Sequence, residues 1–159
     1  GRFKAFLPTF GLPLRGFNVP PVGNQDSAIL HLHGRNDITI PEVGGNAMGW
    51  YYESSDDVLG QWARTLGCDQ ESVSITTAFD GGSSNLSCVE WPNCQASEFA
   101  HRVMKCTYDG GHGMLGWPSG RAEALMFWFL MQQRAAQEGD AEQASLWSLR
   151  FFKDHVLKV

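Results

Sequence analysis

AILHLHG, residues 28–34, is an apolar run of strand length that ends in a glycine. Successive residues of a strand face opposite sides, so the two histidines share one face with Ile29, and Leu30 and Leu32 occupy the other. Both faces therefore carry bulky side chains, which indicates a strand buried on both sides. We interpret the rest of the sequence outward from this strand.

The residues behind this strand predict a helix and two further strands. Ser54 and Asp57 form a capping-box-like start for a helix over 55–66. Residues 72–79 alternate and are β-branched, which is typical of a strand, and residues 101–109 are expected to form another. A strand, a helix and a strand in this order predict an α/β fold of parallel strands with a crossover helix. The intervening stretches, 35–53 and 88–94, are expected to be loops.

The two ends of the chain have different patterns. Residues 1–27 are rich in proline and glycine, which predicts an irregular lead-in. Residues 119–159 contain two helical stretches: 120–137 is apolar nearly all round, and 141–157 is amphipathic. We see no internal repeat, so the chain is interpreted as one domain over 1–159, with its functional loops within 28–118.

Composition and charge exclude several classes of protein. The 159 residues are 43% hydrophobic and 18% charged, which suits one globular domain and argues against low-complexity disorder. The net charge of −5 argues against a nucleic-acid partner. The longest strongly apolar run, 124–131, is too short to span a bilayer. The chain opens on glycine without a secretory signal, so we expect a processed or incomplete polypeptide.

The four cysteines favour disulfides over zinc. Cys68 and Cys106 have no C-x2–4-C neighbour, as a zinc knuckle would need. An even number of cysteines in one compact stretch instead suggests two disulfides and an oxidising compartment. The expected pairing is Cys88–Cys94, because that loop is short, together with Cys68–Cys106. The alternative is four buried thiols in a cytosolic protein.

Two titratable residues follow predicted parallel strands in glycine-rich loops. Asp37 stands in HGRNDITIP and His112 in DGGHGMLGWP. The carboxyl ends of parallel strands are where functional loops collect, and an acid followed by a histidine is the second half of a Ser…Asp…His triad. Alternatively, Asp37 is an Asx-turn residue and His112 an ordinary loop histidine. Asp109 is a weaker candidate for the acid.

Several motifs resemble the polyhydroxyalkanoate depolymerase and feruloyl esterase group of α/β-hydrolases. HLHGRNDITIP, with a Gly-Gly pair behind it, resembles that group's acid loop, H-x-HG-x-x-D-x-x-VP. VLGQWARTLGC resembles its W-x-x-x-x-GC helix, and RVMKCTYDGGHGMLGWPSG its C-x-x-x-GGGH-x-WPG histidine loop. ASLWSLRFFKDH resembles its closing helix. The resemblance covers 29–118 and 141–155. It implies the C-terminal part of an α/β-hydrolase sheet, with Asp37 and His112 as catalytic residues.

The resemblance also implies a structural role for His31 and His33, which would support the acid loop. Their H-x-H spacing could suggest metal ligands, but we find no suitable third ligand and expect no metal.

The sequence departs from the group's pattern in three places. The spacing from His112 to Trp117 is longer than in the group, and the apolar stretch 120–137 is inserted before the closing helix. No G-x-S-x-G nucleophile motif occurs in the 159 residues; the nearest serine clusters are GGSSN at 81–85 and WPSG at 117–120. The nucleophile and the oxyanion hole are therefore expected on a separate, N-terminal segment.

These observations give two hypotheses about function. The first is the C-terminal portion of a secreted serine esterase or depolymerase, inactive alone and needing no cofactor, with an ester or polyester as substrate and an N-terminal hydrolase fragment as partner. The alternative is a catalytically inactive, hydrolase-like structural or interaction subunit of a larger assembly. Under either hypothesis we expect tight association through an open strand edge at Ala28–His33 and through the apolar helix at Ala124–Met131.

Overall fold

The computed structural model describes residues 5–18, 20, 27–75, 86–95, 102–113 and 129–130. Within these ranges the chain forms seven strands and one helix with defined bounds. In chain order they are β1 (Ala5–Phe6), β2 (Ala28–Gly34), β3 (Gly45–Ala47), β4 (Trp50–Tyr52), α1 (Ser55–Thr65), β5 (Val73–Ile75), β6 (Ser87–Glu90) and β7 (Val103–Tyr108).

The main sheet contains five strands in the order β1-β2-β7-β6-β5. β2 lies between β1 and β7 and is parallel to both. β6 is antiparallel to β7 and to β5. β3 and β4 form a separate antiparallel hairpin. The central position of β2 determines which loops meet at the end of the sheet.

The prediction of an α/β-hydrolase sheet of parallel strands with crossover helices is wrong. The described residues form a mixed sheet, and α1 is the one helix with bounds among them. The difference arises at β6, because Ser87–Glu90 includes residues that the sequence analysis placed in a loop. β5 and β6 pair as antiparallel neighbours, and antiparallel pairing needs no crossover helix between them.

β2 is buried along its whole length, as the apolar run predicts. All seven of its residues are buried. Leu30 and Leu32 pack on one face in a cluster that includes Met104 and Phe129. On the other face, Ile29 packs in a cluster with residues of α1. Layers on both sides therefore cover the strand, and the sequence prediction of a buried strand is confirmed.

The start of α1 follows the predicted capping pattern. The Ser54 hydroxyl accepts a hydrogen bond of 3.0 Å from the backbone N–H of Asp57, and it donates one of 2.8 Å to the Asp57 carboxylate. This satisfies a backbone donor that the first turn of a helix leaves free. Gly67, with φ of +66°, lies just beyond the end of the helix, where a left-handed residue is common.

Two disulfides are present, but the expected pairing is wrong. The bonds are Cys68–Cys94 and Cys88–Cys106. Cys88 and Cys106 stand opposite each other in the register of β6 and β7. The expectation of a loop over 88–94 excludes this register, which is why the expected pairing differs. Cys94 is thereby left for Cys68, which follows α1. Two disulfides are consistent with an oxidising compartment.

The expected open edge at Ala28–His33 is also wrong. β1 pairs with β2 from Ala5↔Ala28, and the pairing continues past the strand. The Leu32 N–H donates to the Pro8 carbonyl at 3.1 Å, and the Phe10 N–H donates to the Leu32 carbonyl at 3.0 Å. Part of the predicted irregular lead-in therefore covers this edge, because its prolines fall where no backbone donor is needed.

The predicted loop over 35–53 contains the β3–β4 hairpin. Its turn has positive φ at Met48 and Gly49, the conformation that two-residue hairpins favour. Other sequence-based predictions lie outside the described residues: 76–79 of the predicted strand, both serine clusters, Trp117-Pro118, the helix 141–157, and 120–137 apart from Phe129 and Leu130, which are helical. No helix in the described part of the chain is long and apolar enough to cross a membrane.

Candidate active site

The predicted acid and histidine loops lie side by side. β2 and β7 are parallel neighbours with Gly34 opposite Tyr108, so both strands end at the same level. The Arg35 N–H donates to the Tyr108 carbonyl at 2.9 Å, and the Asn36 N–H donates to the Gly110 carbonyl at 2.9 Å. These backbone bonds extend the pairing beyond the sheet and fix the two loops against each other.

Gly34 is required by this close approach. A Cβ atom at position 34 would lie 2.4 Å from the carbonyl oxygens of both Gly110 and Gly111. Neither oxygen belongs to a side chain that could rotate away, so any other residue would push the loops apart. The glycine that ends the apolar run is therefore a packing requirement of the site.

Asp37 is a buried carboxylate with donors on both oxygens. Its side chain is 0% exposed. Oδ1 accepts hydrogen bonds of 2.9 Å from the backbone N–H groups of Thr39 and Ile40, which is Asx-turn geometry. Burial acts to raise the pKa of this carboxyl, but hydrogen bonds from Ile40, His112 and Thr39 outweigh it and lower the pKa below its ordinary value. Asp37 is therefore held ionised.

The second oxygen of Asp37 contacts the histidine loop. Nδ1 of His112 lies 2.8 Å from Oδ2 of Asp37, although the two residues are 75 positions apart in the sequence. The His112 side chain is 43% exposed. Within the described residues, its Nε2 has no hydrogen-bond partner. The Asx-turn interpretation and the acid–histidine interpretation thus apply to different oxygens of one carboxylate.

Two residues of this site were missed by the sequence analysis. The Tyr108 hydroxyl lies within hydrogen-bond distance of the carbonyls of Gly111 and Gly113, at the base of the histidine loop. Phe10 packs edge-on against the rings of Tyr108 and His112, with centroid distances of 6.1 and 6.3 Å. Phe10 has φ of +57°, which is uncommon for a residue with a side chain. No local sequence signal marks such a position.

A chain of buried histidines stands behind Asp37. Nε2 of His33 lies 2.8 Å from the Ile40 carbonyl and 3.3 Å from Oδ2 of Asp37. Both are acceptors, so neutral His33 carries its proton on Nε2 and leaves Nδ1 as an acceptor. Nε2 of His31 lies 3.0 Å from that Nδ1 and must donate to it. The rings support the acid loop from inside the sheet.

A partly buried ion pair lies beside the histidines. Nζ of Lys105 lies 2.9 Å from Oε1 of Glu42, and the Ser55 hydroxyl donates to the same oxygen at 2.8 Å. Burial acts to raise the pKa of Glu42, but the bonds from Lys105 and Ser55 outweigh it and lower the pKa. Lys105 also pairs with Asp56 on α1. These contacts join the acid loop to the start of α1.

The other candidates occupy different positions. Asp109 pairs with Arg35 at 2.8 Å, whereas the carboxylate that contacts His112 is that of Asp37. His31 and His33 contact each other, and no group of three or more potential metal ligands occurs among the described residues. The structure thus places Asp37 next to His112, and it places Asp109 in a surface ion pair with Arg35.

No protein-family model and no curated protein sequence matches the chain. The interpretation of the site therefore depends on its own geometry.

Proposed function

We propose that Asp37 and His112 are the acid and the histidine of a Ser-His-Asp site for carboxylic-ester hydrolysis. The observation that supports this is the 2.8 Å contact between Nδ1 of a half-exposed histidine and a fully buried carboxylate. An ionised Asp37 fixes the proton of His112 on Nδ1 and leaves Nε2 as the base. The resemblance of the two loops to depolymerase and feruloyl esterase loops agrees with these roles.

The proposed reaction is acyl transfer through a serine. Nε2 of His112 takes the hydroxyl proton as the serine oxygen attacks the ester carbonyl. The protonated ring then gives this proton to the departing alcohol, and Asp37 stabilises its positive charge. In the second half of the reaction, water attacks the acyl-serine and Nε2 of His112 takes its proton. The ring then returns a proton to the serine oxygen as the carboxylic acid is released. The 159 residues contain no G-x-S-x-G motif, so the serine is proposed to come from a separate segment. The protein is proposed to be secreted, in keeping with its two disulfides.

A labelling experiment tests this proposal. The chain alone should not react with a fluorophosphonate, whereas material isolated in its native form should be labelled on a serine of an accompanying segment. With that segment present, His112→Ala should reduce ester turnover by at least about 10³-fold. Asp109→Asn is the matched control on the same loop and should retain activity, because Asp109 contacts Arg35. Labelling of a serine within the chain, or full activity of His112→Ala, would show that the assignment is wrong.

The second candidate is a non-catalytic subunit of a larger assembly. The absence of a G-x-S-x-G motif favours it, as do large apolar side chains exposed around the β3–β4 hairpin: Phe17, Met48, Trp50 and Tyr51 are 51–76% exposed. Exposed apolar groups of this size are typical of interaction surfaces. This candidate predicts native assemblies that contain the chain but bind no fluorophosphonate.

A further inference from the structure

An apolar pocket lies on the α1 side of the sheet, away from His112. Its volume is about 610 Å³, within the range of ligand sites. The walls come from β1 and the segment behind it, from β2, and from α1, and they include Phe6, Ile29, Leu59 and Trp62. Among the described residues that line the pocket, His31, Asn18 and the indole N–H of Trp62 supply the polar side-chain groups. His31 and Asn18 are the lining side chains whose hydrogen-bond networks the structure describes, and they indicate which ligand chemistry fits the pocket.

The hydrogen-bond chain behind Asp37 determines which ring nitrogen of His31 carries the proton and which is left as an acceptor. The Ile40 carbonyl requires a proton on Nε2 of neutral His33, and Nδ1 of His33 then requires a proton on Nε2 of His31. Nδ1 of His31 is left as a lone-pair acceptor. The residue is 2% exposed, and no described residue donates to this nitrogen. A molecule that brings a donor can therefore form a hydrogen bond with His31 that a molecule without a donor cannot.

A second, separate hydrogen-bond network fixes the orientation of the Asn18 side-chain amide, and it also leaves an acceptor. The Glu53 carboxylate accepts from Nε2 of Gln61 at 3.1 Å, which leaves Oε1 of Gln61 as an acceptor. Nδ2 of Asn18 donates to that oxygen at 3.0 Å and to the Val58 carbonyl at 3.3 Å. With both amide protons used, the remaining group of Asn18 is its carbonyl oxygen. Asn18 and His31 thus both offer acceptors.

We propose that this pocket binds an uncharged apolar molecule with a hydroxyl group, whose O–H donates to Nδ1 of His31. A carboxylate is disfavoured, because no described lining residue carries a positive charge at neutral pH to offset the burial of its negative charge. A molecule with a hydroxyl suits the site, since its apolar body replaces water at the apolar walls and its O–H donates to Nδ1 of His31. Burial, then His33 and Lys105, against an opposing effect of Glu42, lower the pKa of His31 from 6.5 to about 3. The ring is thus an acceptor at neutral pH.

Three probes with the same apolar body test the proposal. The disulfide-bonded chain is titrated at pH 8 with 4-propylphenol, with its methyl ether and with 4-propylbenzoate, and binding is followed by ¹⁵N NMR of the histidine rings. The phenol should bind about tenfold more tightly than the ether, the loss expected for one buried hydrogen bond. It should also move the Nδ1 signal of His31 toward that of a hydrogen-bonded nitrogen. The benzoate should bind more weakly than either.

His31→Phe supplies the matched variant. It keeps an aromatic ring at the pocket and removes the acceptor, so the phenol and the ether should bind it with equal affinity. The probe series on the unchanged protein remains a complete test if this variant fails to fold. Equal affinity of the unchanged protein for phenol and ether, preference for the benzoate, or absence of binding by all three probes would overturn the proposal. None of these outcomes depends on whether His112 acts in ester hydrolysis.

Discussion

At the scale of single residues, the structure leaves no room for a side chain at Gly34. Replacing it with alanine puts a methyl group 2.4 Å from two backbone carbonyl oxygens. We expect Gly34→Ala to lower the free energy of unfolding by about 2 kcal/mol, as for an overpacked core, and to break the contact between Asp37 and His112. Urea unfolding measures the first effect, and the ring N–H signal of His112 reports the second.

Gly60→Ala is the control for this substitution. Gly60 lies inside α1, and the nearest atom to an added Cβ is 3.8 Å away, at the end of the Arg64 side chain. Alanine should therefore stabilise the protein there by about 0.5–1 kcal/mol. If both variants changed stability by the same amount and in the same direction, the crowding attributed to Gly34 would be refuted.

His31 predicts a loss of stability in mild acid. Its pKa is lowered from 6.5 to about 3, so below pH 6.5 the unfolded chain binds a proton that the folded chain does not. The stabilisation is complete above pH 6.5 and declines as the pH falls toward 3, by on the order of 5 kcal/mol in total. The Asp37 carboxyl adds a further loss of stability at lower pH, as the pH falls below 3.8, because its pKa in the folded protein lies below that ordinary value.

Melting temperatures between pH 4 and 7 measure this effect. The unchanged protein should melt at progressively lower temperatures as the pH falls, and His31→Gln should show a clearly shallower decline. Parallel curves for the two proteins would mean that another group titrates on unfolding in this range.

At the scale of elements, the two disulfides tie different parts of the sheet. Cys88–Cys106 joins β6 to β7 across a separation of 18 residues, and Cys68–Cys94 joins the end of α1 to the segment behind β6 across 26. Loop-closure entropy predicts a loss of about 3 kcal/mol when either bond is removed. Paired cysteine-to-alanine variants, one pair per bond, should therefore show similar losses in urea unfolding. Peptide mapping without reduction should recover each bond separately.

The sequence predicts best those elements that are determined by neighbouring residues, and it predicts poorly those that depend on pairing with distant segments. β2 and α1 follow from local patterns, the apolar run and the Ser54 cap, and were predicted nearly to the residue. The closeness of Asp37 and His112 follows from one topological rule, that parallel strands end at the same edge. β6 could not be predicted, because four residues of SCVE carry little pattern and become a strand only beside β7. The wrong disulfide pairing follows from that omission.

Phe10 shows the same limit at the site itself. A phenylalanine among prolines gives no signal that its backbone is left-handed or that its ring packs against His112. The Phe10 backbone is held by a contact with a distant segment, since its N–H donates to the Leu32 carbonyl at 3.0 Å. Interactions between segments far apart in the sequence thus determine the part of the site that sequence patterns leave out.

At the scale of the whole molecule, the segment 5–10 shields the edge of β2. The pairing is short, and its loss would expose the backbone of a fully buried strand. A chain that lacks residues 1–10 should therefore self-associate through this edge. Sedimentation velocity should show a mass that increases with concentration for the shortened chain, and less so for the chain that retains residues 1–10. Identical behaviour of the two chains would show that residues 5–10 do not protect the edge.

The parallel pairing of β2 with β7 has a consequence for the order of folding. Asp37 and His112 are 75 residues apart, whereas Cys88 and Cys106 are 18 apart. Closing the longer loop costs more entropy, so contacts across it form later than the hairpin between β6 and β7. During oxidative refolding, intermediates that hold only Cys88–Cys106 should accumulate before the Asp37–His112 contact forms. The histidine is thus expected to reach its carboxylate only after the antiparallel side of the sheet has been covalently fixed.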